Sequence, residues 1–486
     1  MARSRAEFLV MAIDIGTSST RTALFDDQAR RLPETAAAEQ YRVSYGSDGG
    51  AELGPAQMFR ALNRASRRTV AAYRSNRHSH RLPIQAVSAS ALWHGLLGLD
   101  RQHKPITPVF TWADSRSVPD ARQLRQRFYE RTVQQRTGCM LRSTFWPAKF
   151  RWLKRTQPKL FRQVAHWVSP SDWLIYAMFG ELACSASMAS ATGLYNYDTE
   201  SWDAELIETC GVDERTLTPV STRLNGKLKF ASRPVTVFSP IGDGAASNVG
   251  SGADEPSVAA INVGTSAAVR SIQSSRDTRR QPIGHGLFRY VVDKHRVING
   301  GATSNAGNLR QWCLRQLNLD DDPRRLEPVL SRKAAANDSL TILPFWVEER
   351  APTWPEGQRG VIVGLTQAIT AEQIARSAAT AVFYRLAEIL EELEDSLGRM
   401  RRIVVSGGIL QSRASVGLLA DAIGRDVEIS TEGEASLRGA AVYGLNQLGI
   451  QIKAPGRGRV VKHDRRLSRM HRMRRKKQIE LEKSFR

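Results

Sequence analysis

The stretch Met11–Asp27, MAIDIGTSSTRTALFDD, governs how the rest of the chain is read. Apolar Ile13, Ile15, Ala23 and Phe25 flank a turn of small residues, so the pattern predicts a β-hairpin whose tip presents backbone N–H groups and hydroxyls. Such a tip suits an anion. Asp14 stands inside the first apolar run, where a carboxylate is costly unless something pairs with it, and a divalent cation is one such partner. The pattern recurs in INVGTSAAVR, where Ile261, Val263, Gly264, Thr265 and Ser266 keep the spacing of Ile13, Ile15, Gly16, Thr17 and Ser18. Asn262 takes the place of Asp14 in this second copy. Two Gly-Thr-Ser hairpins predict two related domains facing one phosphate-bearing ligand, with the negative charge that holds a metal coming from the first.

Composition sets the bounds. A chain of 486 residues is long enough for two large cores, and 41% hydrophobic with 24% charged residues is ordinary for a soluble globular protein. The leader MARSRAEF has neither an apolar stretch nor a small-residue cleavage site. Cys139, Cys184, Cys210 and Cys313 lie far apart without a CxxC pair, so the expectation is a cytoplasmic chain with free thiols and no zinc site. The 70 basic and 48 acidic residues leave a net charge of +22. Half of that excess lies in Lys453–Arg486, with 14 Lys and Arg against 3 acids. A solvated, helical basic tail is the plain expectation, with a nucleic-acid or membrane contact as the alternative. No aromatic-rich strand accompanies the tail to stack single-stranded bases.

Neither GxxxxGK[ST] nor GxGxxG after a strand occurs, so P-loop and dinucleotide-binding readings fall away and the hairpins are left to hold phosphate. FSPIGDGAASNVGSGADEPS is rich in Gly, Ala and Ser, and the domain boundary is placed just after it, around 252–257. The second half alternates helix and strand. Thr370–Gly398 is its clearest helix, with Ile374, Ala378, Val382, Leu386, Ile389, Leu390, Leu393 and Leu397 on one face, a Thr370/Gln373 capping box and Gly398 as the stop. The strands IVVSGG and DVEIS and two further helices follow, a β-α-β-α order that implies a partly parallel sheet.

Ten segments, in this order and spacing, resemble the FGGY carbohydrate kinases of the actin-like ATPase superfamily, and among them the gluconokinases. They are IDIGTSSTRTALFD, LLGLDRQHKPITPVFTWADSR, SASMASATGLYN, IGDGAASNVGSG, INVGTSAAVR, GGATSNAGNLRQW, LPFWVEERAPTW, RGVIVGLT, VVSGG and EASLRGAA. The resemblance implies an α/β fold of two actin-like (ribonuclease H-like) domains with an active-site cleft between them. Its boundaries would be 1–253 for the N-terminal domain, 254–452 for the nucleotide-side domain and 453–486 for the tail. It implies ATP and Mg²⁺ as cofactors, a small sugar or sugar acid as partner, and transfer of the γ-phosphate to a terminal hydroxyl. D-gluconate is the first choice of acceptor; xylulose, ribulose or glycerol are the alternatives within the class. A non-catalytic actin-like nucleotide-binding module with a nucleic-acid-binding tail is the alternative outside it, and a homodimer is left open.

The resemblance also assigns residues. Asp14 resembles the family's metal-orienting aspartate, and Gly16, Thr17 and Ser18, echoed by Gly264, Thr265 and Ser266, resemble its phosphate loops. Asp243 in IGDGAAS matches the catalytic aspartate, although a lone Asp between glycines is more commonly a turn residue. His94, Trp112, Asp114 and Arg116 fall in the substrate segments, where core packing is the plainer alternative for the His and Trp. A gluconate carboxylate wants a forked cation, for which Arg270 and Arg350 are candidates. Ser406, Gly407 and Gly408, with Glu434–Ala441, resemble the adenine side; for Gly439 tight packing is an equal alternative. Glu348, Thr380 and Ala381 depart from the family's usual Gly and Glu-Gly positions.

Overall fold

The first hairpin forms as its pattern demands. β1 (Leu9–Ile15) and β2 (Ser19–Asp26) pair antiparallel, with Ile15 opposite Thr20 and Asp14 opposite Arg21. The computed structural model describes residues 6–75, 82–221, 228–230, 233–278, 281–320, 327–331 and 339–485; most of the leader, residues 1–5, and the last tail residue lie outside them. β3 (Ala37–Gln40) extends the sheet beside β2, and β4 (Ile84–Ala91) runs parallel to β1 on its other flank. With β5 (Leu228–Phe230) and β6 (Arg233–Val237) the order is β5-β6-β4-β1-β2-β3, and the short β7 (Ile241–Gly242) also pairs with β4.

The second hairpin seeds the same arrangement. β8 (Val258–Val263) and β9 (Ala267–Ser274) pair antiparallel, and β12 (Arg402–Ser406) lies parallel to β8 as β4 does to β1. With β10 (Phe288–Asp293), β11 (Arg296–Thr303), β13 (Val427–Ile429) and β14 (Val460–Val461), the order is β10-β11-β9-β8-β12-β13-β14. The hairpins differ in one respect that the shared Gly-Thr-Ser conceals. Val263 faces Ala267, whereas Ile15 faces Thr20, so the second turn is one residue shorter.

Helices cover these sheets. α1 (Pro55–Ser75) packs on β2 and β3, and α2 (Asp243–Gly250) begins where β7 ends. α3 (Gly307–Gln316), α4 (Ala371–Leu397) and α5 (Arg413–Ile423) follow, then α6 (Ala435–Gln447) and α7 (Arg465–Ser484). The Thr370/Gln373 capping box opens α4, and Ala378, Val382, Leu386, Ile389, Leu390 and Leu393 bury its apolar face in one large core.

Contacts divide the chain into two units. One holds Met1–Gly252, Arg289–Ile298 and Glu434–Ala454; the other holds Ala253–Phe288, Asn299–Gly433 and Pro455–Arg486. This differs from the expected 254–452 and 453–486 segments in three places, the first being Arg289–Ile298, which groups with the first unit. The α6 segment belongs with the first unit, because Leu437, Ala440 and Ala441 share a core with Ala12, Ala23 and Phe25. Gly439 is needed for that packing: a Cβ there would stand 1.8 Å from the Ala246 carbonyl oxygen on α2. The tail, in turn, is part of the second unit and not a solvated appendage. Ser468, His471, Arg475, Gln478 and Glu482 form a buried stripe along α7. Facing it on α4, Tyr384 bonds His471 at 2.8 Å, Glu391 pairs with Arg475, and the Ala381 carbonyl accepts from Gln478 at 3.3 Å.

Candidate active site

The sheet register of the first unit brings its two key acids to one edge. On β4, Ser90 lies opposite Asp14 of β1 and opposite Ile241 of β7, so Asp243, the residue after β7, sits just beyond the strand ends where Asp14 is found. The Ser90 hydroxyl donates to Asp14 at 3.0 Å, and the Gly244 N–H donates to Asp243 at 2.7 Å. Burial pushes the Asp14 carboxyl up to about 6; the Arg21 charge and the Ser90 hydrogen bond oppose this, while Asp243 and Glu434 add to it. A buried carboxylate with two further acids adding to its cost of ionisation is a setting a cation would relieve, so Asp14 fits a divalent metal. No group of three or more His, Cys, Asp or Glu side chains among the described residues could hold a metal alone. The ion would rest on Asp14, water and the ligand's phosphates.

The substrate segments gather in the same unit. The Trp112 indole N–H donates to the Thr17 hydroxyl at 3.4 Å, which places the TWADSR segment against the first hairpin tip. His94 Nδ1 lies 2.7 Å from the Ala191 carbonyl oxygen; a carbonyl only accepts, so Nδ1 carries a proton and donates. Phe145 and Tyr290 pack edge-on against the imidazole at 5.1 and 5.7 Å. Asp114 and Arg116 are committed to each other. Arg116 chelates Asp114 through Nε and Nη2 at 3.1 and 2.5 Å, bonds Glu52 at 2.6 Å and stacks on Trp152 at 4.5 Å. Asp114, 2% exposed, also accepts from Ala51 N–H, so the pair braces the loop that carries Trp112. Arg270 lies on β9 opposite Ala260, and Arg350 donates to the Ser304 hydroxyl and the Thr303 carbonyl at 3.0 and 3.2 Å. Both arginines belong to the second unit.

That unit also holds the second hairpin and Ser406–Gly408, the residues expected on the nucleotide side. Asn262 donates to the Ser406 hydroxyl at 2.9 Å, on the rung equivalent to Asp14 and Ser90. Gly407 turns with φ 92°, and a Cβ there would meet the Val263 carbonyl oxygen at 2.5 Å, so glycine lets the chain double back beside the second hairpin. Gly264, Thr265, Gly408 and Ile409 then line one cavity of about 440 Å³, together with Gln311, Leu314, Ala378, Val382, Phe383 and Ser412. The α6 segment, expected on the adenine side, does not line it. Ala381 is likewise absent from its wall and carries the carbonyl bonded by α7.

Sequence reasoning missed two supports. Glu349, 1% exposed, accepts from the Thr303 hydroxyl at 2.6 Å, the Ser304 N–H at 2.7 Å and the Asn305 amide at 3.0 Å. The wall of α3 with Gln311 and Leu314 was also missed, though both lie in or beside the quoted GGATSNAGNLRQW. The available signal for Glu349 was an acid amid Pro, Phe and Trp, where burial demands several donors.

Duplicated ribonuclease H-like sheets, two Gly-Thr-Ser turns and an aspartate at the sheet edge define an α/β phosphotransferase of two domains. The chain belongs to the FGGY family of carbohydrate kinases, whose N-terminal domain matches residues 9–247 and whose C-terminal domain matches residues 259–447. It is thus an ATP-dependent carbohydrate kinase, a phosphotransferase with an alcohol as acceptor. It is similar to a gluconokinase of Bacillus subtilis (27% identity, 90% of this chain and 88% of that protein) and to a xylulose kinase of Staphylococcus xylosus (23%, 89% of each). A crystal structure of gluconate kinase from Lactobacillus acidophilus shares the fold at a TM-score of 0.87, with 22% identity over 98% of each chain. No helix among the described residues is long and apolar enough to cross a membrane.

Proposed function

We propose that the chain phosphorylates D-gluconate at its terminal 6-hydroxyl, giving 6-phosphogluconate from Mg-ATP in the cytoplasm. The observation that carries this reading is the pair Asp14 and Asp243, set by the β1-β4-β7 register at one sheet edge beside a Trp112 bonded to the phosphate hairpin. Asp243 takes the proton of the acceptor hydroxyl as that oxygen attacks the γ-phosphate in line. The N–H groups of Thr17 and Ser18, and of Thr265 and Ser266, hold phosphate oxygens, while those of Gly16 and Gly264 close the turns on the Ser19 and Ser266 carbonyls at 2.9 Å, and the second-unit cavity takes the nucleoside. Mg²⁺, when bound at Asp14, neutralises phosphate charge. His94 Nε2 accepts from a sugar hydroxyl, and Trp112 gives the polyol an apolar wall. Asp114 and Arg116 hold that wall in place. Arg270 is the forked cation proposed for the gluconate carboxylate, because Arg350 is already spent on the 303–304 backbone and hydroxyl.

Gluconate is favoured over xylulose and glycerol by the similarity to gluconokinases. The test is ADP release from Mg-ATP against gluconate, other sugar acids, ketopentoses and glycerol, with Asp243→Asn as blank. Turnover confined to gluconate and lost in the blank is expected. Preference for a ketopentose or glycerol would overturn the acceptor, and full activity in the blank would overturn the role of Asp243.

A further inference from the structure

The carbonyls of the second hairpin tip are not left to water. Gly307 N–H donates to the Gly264 carbonyl at 3.0 Å and Asn308 N–H donates to the Thr265 carbonyl at 3.1 Å, so the first residues of α3 fix the peptide planes whose other edges carry the phosphate-facing N–H groups. In the first hairpin this work falls largely to one residue, Tyr41, whose hydroxyl is shared between the Gly16 and Ser19 carbonyls at 2.5 and 3.1 Å and whose N–H donates to the Ser18 carbonyl at 3.0 Å. The second hairpin depends on a longer series of contacts. The segment leading into α3 is clamped by Glu349 through Thr303, Ser304 and Asn305. Two residues beyond Glu349, the chain is clamped again: Arg385 of α4 donates to the Ala351 carbonyl at 3.3 Å and to the Thr353 hydroxyl at 2.8 Å. Both Arg385 and Thr353 end on one carboxylate, Glu482 of α7, at 2.7 and 2.5 Å. Arg385 is fully buried and Glu482 is 3% exposed, so neither charge is relieved by solvent if the other is lost.

We infer that Glu482 is a positioning residue for nucleotide binding, acting through Thr353 and Arg385 on the 349–353 loop and so on the Gly264–Thr265 tip. This rests on the reading above that the second hairpin holds nucleotide phosphate. It gives α7, which lies beyond the matched family domain ending at residue 447, a part in the kinase site. The contacts form one contiguous set within one unit, and each link is a hydrogen bond to a buried or half-buried group, so a change at Glu482 is passed on as a shift of the loop.

The experiment measures ADP affinity by calorimetry on the full chain and steady-state constants for both substrates, in Glu482→Gln, Thr353→Val and Thr265→Pro. Expected for both Glu482→Gln and Thr353→Val is ADP binding weakened about three- to thirtyfold, with the KM for ATP raised and that for the acceptor unchanged. The two together should weaken ADP no more than the stronger alone, since they cut the same link. A lower melting temperature with ADP affinity and both KM values unchanged would show a clamp for stability only and overturn the inference. Thr265→Pro, which removes one tip N–H, separates the two levels. Weakened ADP there with no effect at 482 and 353 sinks the relay alone, whereas unchanged ADP in all three sinks the assignment of the hairpin to phosphate.

Discussion

Asp14 accepts a 3.0 Å hydrogen bond from Ser90 across parallel strands, and the matching rung of the other sheet is filled by Asn262 donating to Ser406 at 2.9 Å. One rung carries a carboxylate and its counterpart is neutral. Asp14→Asn makes the two alike and removes the charge proposed to hold Mg²⁺. The expected result is a fall in kcat of about a hundredfold or more, the range seen when one preorganised charge-stabilising group is lost, with metal-free ADP affinity nearly unchanged. Wild-type turnover in this variant would take Asp14 out of the reaction.

Asp243→Asn addresses a different step. The asparagine keeps the first position of α2 and the shape of the side chain but cannot accept the hydroxyl proton. Turnover should fall by about two to four orders of magnitude, with ADP affinity within about twofold of wild type. Calorimetry and a coupled ADP-release assay report the two quantities separately.

Gly439→Ala tests the helix crossing. The added methyl would meet the Ala246 carbonyl oxygen at 1.8 Å, so α6 must move off α2 and the sheet. Overpacking of this kind costs about 1–3 kcal/mol or more, which lowers the melting temperature by several degrees in a domain of this size. Gly433→Ala, where a Cβ meets nothing within 4 Å, is the control and should melt within about one degree of wild type.

His471 sets a pH dependence of stability. Burial, with the Arg474 charge adding to it, lowers its imidazole from 6.5 to about 4. Unfolded chains take up this proton as pH falls through 6.5 and the folded protein does not until about 4, so stability contributed above 6.5 is lost across that window. The full loss is about 3 kcal/mol. Glu388, raised to about 7 mainly by burial, acts in the opposite sense: its contribution is present below 4.5 and lost as pH rises through 7. Urea unfolding of wild type and His471→Gln at pH 7.5, 6 and 5 should show the wild type's advantage shrinking with acid. A constant difference would mean that His471 titrates alike in the folded and unfolded chains and would remove it as the source of the pH dependence.

Removal of α7 and neutralisation of its outer face should have unlike effects. A chain ending at Pro455 leaves buried Arg385 with Glu388, at 3.3 Å, as its remaining carboxylate, so the loss stays below the roughly 3–5 kcal/mol of a wholly broken buried pair, and the cut strips cover from the core as well. Changing exposed Arg465, Arg469, Arg472 and Lys476 to Gln touches no buried contact and should shift the melting temperature by no more than a degree or two. Any salt-dependent affinity of the tail for nucleic acid is therefore to be measured on the neutralised helix and not on the truncated chain, with equal weak binding before and after excluding the contact.

The hairpins, the parallel second half and the capped α4 were legible because each rests on local pattern: alternation around Gly-Thr-Ser, heptad-like spacing from Ile374 to Leu397, and a Thr-x-x-Gln cap. The docking of α7 was not. Its buried face is Ser468, His471, Arg475, Gln478 and Glu482, so hydrophobic periodicity is blind to it, and only partners such as Tyr384 and Arg385 make the stripe stable. The place of α6 escaped for a related reason, since Gly439 reads the same whether it admits a nucleotide or a neighbouring helix. Asp114 and Arg116 show a third limit. Two residues apart in sequence, they read as ligands for a sugar, yet the geometry spends them on each other.

The chain's path between units has a consequence for how the protein is made. The apolar face around Ala12, Ala23 and Phe25 waits for Leu437, Ala440 and Ala441, which leave the ribosome only after nearly all of the second unit has been synthesised. During that interval the nascent first unit carries an uncovered patch, and a cut after Gly252 would make the exposure permanent. Dividing the gene at its midpoint separates the first unit from two of its own segments, Arg289–Ile298 and Glu434–Ala454, and of these the second is the one that covers the patch.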